Sequence, residues 1–166
     1  QDTRGAGFDT IRNVENVVGT NFDDVIIGSD GDNFIMAGAG RDNLSGGNGS
    51  DILWAGFGDL NGDTLSGGNG NDSLVGGYGN DTLSGGAGDD FITGSRGADT
   101  LSGGTGRDRF NFQSAMDSDV VAVDRILDFN GADDIIILQP LEFSANVAFI
   151  GSNAFAPSGI GQIRVT

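Results

Sequence analysis

Between Gly67 and Asp108 the chain repeats itself every nine residues: GGNGNDSLV, GGYGNDTLS, GGAGDDFIT, GSRGADTLS and GGTGRD. The unit is Gly-Gly-x-Gly-x-Asp-x-apolar-x. A period of this kind means that each unit is a module too small to bury its own apolar residue, so the modules must stack and share one continuous core. Glycine is far above its usual share, with 31 residues of 166, yet it recurs at fixed places, so it specifies backbone conformation instead of signalling disorder.

The period extends upstream in looser form through GTNFDDVII, GSDGDNFIM, AGAGRDNLS and GGNGSDILW, and then through a twelve-residue unit, Ala55 to Ser66, with an insertion around Leu60-Asn61-Gly62. The sixth position of successive units is Asp24, Asn33, Asp42, Asp51, Asp63, Asp72, Asp81, Asp90, Asp99 and Asp108. The eighth is Ile26, Ile35, Leu44, Leu53, Leu65, Leu74, Leu83, Ile92, Leu101 and Phe110. A short strand fits around position eight, and glycine permits the turn that precedes it. One turn and one strand make half a coil. Alternate units then build opposite sheets of an all-β, right-handed parallel roll whose eighth residues face inward.

In that arrangement the sixth residues form two ladders, one through Asp24, Asp42, Asp63, Asp81 and Asp99, the other through Asn33, Asp51, Asp72, Asp90 and Asp108. Strands stack about 4.8 Å apart, and two carboxylates at that distance repel by about 0.9 kcal/mol in water and more at lower dielectric. An ion midway sits about 2.4 Å from each layer, within the range of about 2.3–2.6 Å for calcium and longer than magnesium prefers. Glycines at positions two and four leave carbonyls free to complete an all-oxygen shell. These are Gly38 and Gly40, Gly47 and Gly49, Gly56 and Gly58, Gly68 and Gly70, Gly77 and Gly79, Gly86 and Gly88, Gly97, and Gly104 and Gly106. Counting gaps gives up to about eight calcium ions. Asn33 brings no charge and the GTNFDD turn lacks both glycines, so each reads equally as a weak site or a plain turn. Asp59, beside the insertion, is a candidate to replace or supplement Asp63.

The charge fits this reading. The net charge is −16, and all but Glu15 and Glu142 of the 24 acidic residues are aspartate, a bias expected of ligands held close to the backbone. Nucleic acid is a poor partner for such a chain. With no histidine and no cysteine there is no HExxH zinc site, no Ser-His-Asp triad and no thiolate chemistry, so the chain itself is read as non-enzymatic. No apolar run is long enough to cross a membrane.

Three segments follow from the period: a lead-in over 1–18, whose stretch Thr10 to Val18 is ambiguous between helix and strand and covers the open end; the roll over 19–111; and a β-rich cap over 112–166. Strands are expected there at Asp124–Phe129, Asp134–Leu138, Asn146–Ile150 and Gln162–Val165. Outward positions seven and nine are polar on the sheet after Asp42, Asp63, Asp81 and Asp99. On the other they are Phe34, Ile52, Ser73, Phe91, Met36, Trp54, Val75 and Thr93, an apolar exterior that needs a cover from the C-terminal segment or another domain.

The repeats resemble those of the RTX, or repeats-in-toxin, family, over about Gly19 to Asp108. The segment that follows reads Arg107-Asp108-Arg109-Phe110-Asn111-Phe112, then Met116-Asp117-Ser118, Asp124-Arg125-Ile126-Leu127-Asp128-Phe129 and Gly131-Ala132-Asp133-Asp134-Ile135-Ile136. This part is similar to the C-terminal domain of serralysin-type secreted metalloproteases. The resemblance implies a calcium-loaded accessory domain, linked to a catalytic or adhesive domain of a type I-secreted extracellular protein, with calcium held by the position-six aspartates and the glycine carbonyls. By the same analogy Asp117 and Asp124 bind one further calcium where roll meets cap, or are plain turn residues. Alginate epimerases carry similar modules, which keeps open a polysaccharide-binding alternative using Arg41, Arg96, Arg107 and Arg109.

Overall fold

The structure is a computed structural model that describes residues 9–113, 123–138 and 148–149. Asp117 and the strand expected at Gln162–Val165 lie outside these residues. Fifteen strands follow one another with no helix among the described residues: β1 (Asp9–Val14), β2 (Asn16–Val18), β3 (Asp24–Gly28), β4 (Phe34–Met36), β5 (Asn43–Asn48), β6 (Ile52–Gly56), β7 (Thr64–Asn69), β8 (Ser73–Tyr78), β9 (Thr82–Ala87), β10 (Phe91–Arg96), β11 (Thr100–Thr105), β12 (Arg109–Phe112), β13 (Arg125–Ile126), β14 (Ile135–Leu138) and β15 (Ala148–Phe149). Odd strands form one sheet in the order β1-β3-β5-β7-β9-β11-β13-β15, and even strands form the other, β2 through β14. Successive strands therefore alternate between two all-parallel sheets, which makes the molecule the β-solenoid expected from the half-coil unit.

Register explains the core. Ile26, Leu44, Leu65, Leu83, Leu101 and Ile126 pair in one column, and Ile35, Leu53, Leu74, Ile92 and Phe110 in the other. All are buried, and together they form one continuous apolar stack. Each large aliphatic side chain meets its own kind above, below and across, so no unit could bury it alone.

Strands are longer than a three-residue stretch around position eight. In β5, β7, β9 and β11 pairing runs on through the glycines, with Gly47 opposite Gly68, Gly68 opposite Gly86 and Gly86 opposite Gly104. Only positions four to six turn the corner. The lead-in is likewise two strands, not one: β1 pairs with β3, β2 pairs with β4, and Asn13, with φ 61°, lies at the register shift within β1, while Glu15 separates the two strands. Beyond Phe112, β13 pairs with β11 and β14 with β12, so the two sheets continue past the last glycine-rich turn.

The twelve-residue unit keeps its place by bulging. Asn43 still faces Thr64 across twenty-one residues of chain, because Asp59 accepts hydrogen bonds from the backbone N–H groups of Gly40 (2.6 Å) and Asn61 (2.7 Å). Outside the roll, Trp54, Phe57 and Tyr78 form a run of ring contacts at 5.3 and 5.5 Å, closed by Arg96 over Tyr78 at 5.1 Å. The outer face of the even sheet is apolar at its N-terminal end, where Val18 is 72% and Ile52 47% exposed. At the other end the outward Thr93 and Asn111 are 4% and 3% exposed and hydrogen-bonded to each other at 3.3 Å.

Candidate metal centre

The two ladders of position-six residues are present, and all ten are buried. Within a ladder every rung is tied to the next by one bond type: the backbone N–H of one position-six residue donates to Oδ1 of the residue one coil further on. Asp24 donates to Asp42, Asp42 to Asp63, Asp63 to Asp81, and Asp81 to Asp99, all at 2.8 Å. On the other edge Asn33 donates to Asp51, Asp51 to Asp72, Asp72 to Asp90 and Asp90 to Asp108, at 2.8–3.0 Å. Both ladders go one rung beyond the repeats. Asp99 donates to Asp124 at 2.8 Å, and Asp108 to Asp134 at 3.0 Å. Asp124 was singled out by analogy, as a calcium ligand or a plain turn residue, and not as a rung. Asp134 was not a candidate, because its turn, Asn130 to Asp134, has no glycine triplet to mark it.

In six of these carboxylates one oxygen is thereby used and the other is not. In Asp42, Asp51, Asp72, Asp81, Asp90 and Asp108 the Oδ2 atom is buried without a hydrogen-bond partner. A buried carboxylate oxygen left bare is expensive unless a cation meets it. Its surroundings are oxygen. A Cβ built on Gly46 would lie 2.1 Å from Asp51 Oδ2 and 2.8 Å from the Gly67 carbonyl. The same pair recurs at Gly67 (Asp72 Oδ2, Gly85 O), Gly76 (Asp81 Oδ2, Gly94 O) and Gly85 (Asp90 Oδ2, Gly103 O). Position one, not singled out in the sequence, is therefore where carboxylate and next-coil carbonyl converge. Ala37 and Ala55 fill it in two coils and are buried in the core, so a methyl group is accommodated there.

Electrostatics ask for the same partner. Burial, above all, pushes the Asp42, Asp63 and Asp81 carboxyls up to about 7 and Asp90 up to about 6, and neighbouring carboxylates add to the rise, while the backbone N–H bond opposes it. Asp72, Asp108 and Asp134 are raised for the same first reason. Among the described residues no three acidic side chains gather at one point. Each gap offers side-chain oxygens from two rungs, and backbone carbonyls must supply the rest. Such hard, all-oxygen donors suit calcium and are a poor match for softer metals.

Positions two and four are glycine for a backbone reason. Gly38, Gly47, Gly56, Gly68, Gly77, Gly86 and Gly104 at position two, and Gly40, Gly49, Gly70, Gly79, Gly88, Gly97 and Gly106 at position four, have φ between 99° and 145°, a region L-residues with a Cβ rarely adopt. They also stack on the preceding coil: a Cβ on Gly88 would lie 2.0 Å from Gly70 O. Ser95 takes position two at φ 78°. Gly58 is a correction. Expected at position four, it has no left-handed φ and lies over Ala39, a position-three residue, while Gly79 of the next coil stacks on Asn61. The bulge thus occupies Gly58, Asp59 and Leu60, and Asn61 takes the fourth place. Asp63 holds the rung, and both Asp59 oxygens serve the bulge.

A further ladder escaped the sequence reading. Position-five side chains accept the position-five N–H of the next coil: Asp23 from Arg41, Asp32 from Ser50, Asn71 from Asp89, Asn80 from Ala98 and Asp89 from Arg107, at 2.7–2.9 Å. The signal was the recurrence of Asp or Asn before the position-six residue. Asp128 accepts from Ser102 Oγ and from the N–H groups of Gly103 and Gly104, at 2.5–2.9 Å, and so covers the last glycine-rich strand. Arg41 donates to Gly62 O at 3.3 Å and Arg96 packs on Tyr78, so two of the four arginines proposed for polysaccharide serve the roll's own packing.

A parallel roll with oxygen-lined gaps between its coils defines a metal-binding repeat solenoid. The profile of the RTX calcium-binding nonapeptide repeat (4 copies) matches residues 18–53, 57–92 and 75–110, more than half of the chain, and the break at 54–56 falls where the bulged unit begins. The chain belongs to this RTX family and is a calcium-binding repeat domain. The match stops at residue 110, inside the first motif of the segment likened to serralysins, and does not extend over the rest of that segment. No curated protein matches the chain.

Proposed function

We propose that this is a non-catalytic domain of a type I-secreted, extracellular bacterial protein, and that its calcium sites make folding conditional on having left the cell. The observation that carries the reading is the row of buried Oδ2 atoms without hydrogen-bond partners, with those of Asp51, Asp72, Asp81 and Asp90 each beside a carbonyl of the next coil. Without a cation those oxygens oppose closure of the roll, and a chain of net charge −16 stays expanded. Calcium sites of about 10⁻⁴–10⁻³ M stay empty in the cytosol and fill outside. Binding confined to the folded form then favours the roll by mass action. The residues that would hold the ion are the position-six aspartates with carbonyls of the glycine-rich turns, in up to about eight gaps.

The parent protein is read as a serralysin-like protease with its catalytic zinc in a separate domain. The exposed apolar strip around Val18, Phe34 and Ile52 is where the rest of that parent would pack. Circular dichroism in chelator and in millimolar calcium tests the central reading. Strand signal should be weak in chelator and rise cooperatively with calcium; a full signal in chelator would refute it.

A further inference from the structure

One gap is built differently from the rest. Asn33 occupies position six of the turn Gly28 to Asn33, and its Oδ1 accepts hydrogen bonds from the Ser29 N–H (3.0 Å) and the Ser29 hydroxyl (3.1 Å). That pair fixes the amide orientation. A reversed amide would set its own N–H groups against the Ser29 N–H and its oxygen against carbonyls. Nδ2 therefore faces the gap toward Asp51.

Four oxygens converge on it. Gly31 O lies at 2.5 Å and Asp51 Oδ1 at 2.7 Å; Ser29 O and Gly46 O lie at 3.3 and 3.4 Å. An amide nitrogen carries two hydrogens, and there are two short contacts and two long ones. By repeat position the four are the carbonyls of positions two and four in the same turn, the carbonyl of position one in the next coil, and the next carboxylate. A Cβ on Gly28 would lie 2.8 Å from Asn33 Nδ2 and 2.5 Å from Gly46 O. One coil on, a Cβ on Gly46 meets Asp51 Oδ2 and Gly67 O instead. At the same place in the repeat, then, one coil presents a donor and the next a buried, bare carboxylate oxygen.

We infer that the Asn33 amide replaces the cation in this gap: the space between the Asn33 and Asp51 turns takes no calcium, and the sites on this edge begin between Asp51 and Asp72. The inference rests on the calcium reading above. Its consequence is a first coil on this edge closed by protein hydrogen bonds alone, available as a template before calcium is bound. On the other edge Asp24 Oδ2 accepts the equivalent bonds from the Thr20 N–H and hydroxyl, at 2.9 and 3.0 Å. Its remaining oxygen is a bare carboxylate oxygen where Asn33 has an amino group, and that gap keeps its demand for a cation.

The test counts ions. Native mass spectrometry of the full chain in saturating calcium, with folding checked by circular dichroism in the same buffer, is applied to the wild type, Asn33→Asp and Asn33→Ala. Asn33→Asp should bind one calcium more than the wild type, and Asn33→Ala the same number. Equal, non-zero counts for Asn33→Asp and wild type overturn the inference and leave the calcium reading intact. So does one ion fewer for Asn33→Ala, which would make Asn33 a ligand, or failure of Asn33→Asp to fold in calcium. A wild type that binds no calcium removes the reading on which the inference rests, and the inference with it.

Discussion

Replacing Asp90 by asparagine should change the sign of its effect with the presence of calcium. Asp90 serves two gaps: Oδ1 accepts the Asp72 N–H at 2.8 Å, and Oδ2 lies at Gly85 beside the Gly103 carbonyl. Asparagine keeps the Oδ1 acceptor and puts an NH₂ group where Oδ2 was, the arrangement found at Asn33. The gap toward Asp108 loses its site and the gap toward Asp72 loses a charge. At about 10 mM calcium, a site of about 10⁻⁴–10⁻³ M contributes about 1.4–2.7 kcal/mol. One site lost and one weakened amount to about 2–4 kcal/mol. In chelator at about pH 8 the substitution removes a buried charge whose carboxyl is pushed up to about 6. The gain there is about 1–2 kcal/mol after allowance for solvent screening. Urea unfolding in calcium and osmolyte-driven folding in chelator, both followed by circular dichroism, read the two halves. Asp90→Asn should unfold at lower urea than the wild type in calcium, and fold at lower osmolyte in chelator. Loss of stability in both conditions would show that the Asp90 carboxylate is an ordinary buried hydrogen-bond acceptor and would refute the reasoning.

Two glycines at the same repeat position should respond oppositely. Gly88→Ala faces φ 137° and a carbonyl 2.0 Å away, and should lower unfolding stability in calcium by about 2–4 kcal/mol. Gly31→Ala, with no left-handed φ and nothing nearer than Ser29 Oγ at 4.0 Å, should be neutral or gain up to about 1 kcal/mol; equal losses would contradict the turn geometry. Ser95→Gly should raise the thermal midpoint in calcium by relieving φ 78°, worth about 0.5–1 kcal/mol, and a lower midpoint would mean that the Ser95 side chain contributes more than its backbone strain removes. Acidification in chelator from about pH 8 to about pH 5 should increase strand signal. The Asp42, Asp63 and Asp81 carboxyls are raised to about 7, so the folded form binds protons more tightly than the unfolded form, and its stability grows as pH falls through that range. A flat or falling signal would contradict the burial of these groups as carboxylates.

The nine-residue period was enough to determine the solenoid, the two apolar columns and the two carboxylate ladders, because each depends only on which positions recur and how far apart coils stack. Leu44, Leu65 and Leu83 share a column for no other reason than their phase. What period alone could not decide is how each turn meets the coil beside it. Gly58 carries the motif's glycine but sits in the bulge, since Asp59 ties the insertion to Gly40 and hands the fourth place to Asn61. Asp134 lies outside the nonapeptide motif and still completes a ladder, because β14 brings its turn up against Asp108. Asn33 differs from its neighbours by a single group, and only the contacts across the gap turn that difference into a donor facing four oxygens. A repeat specifies what each coil repeats; hydrogen bonds between coils depend on atoms from both, and those meet only once the chain has wound.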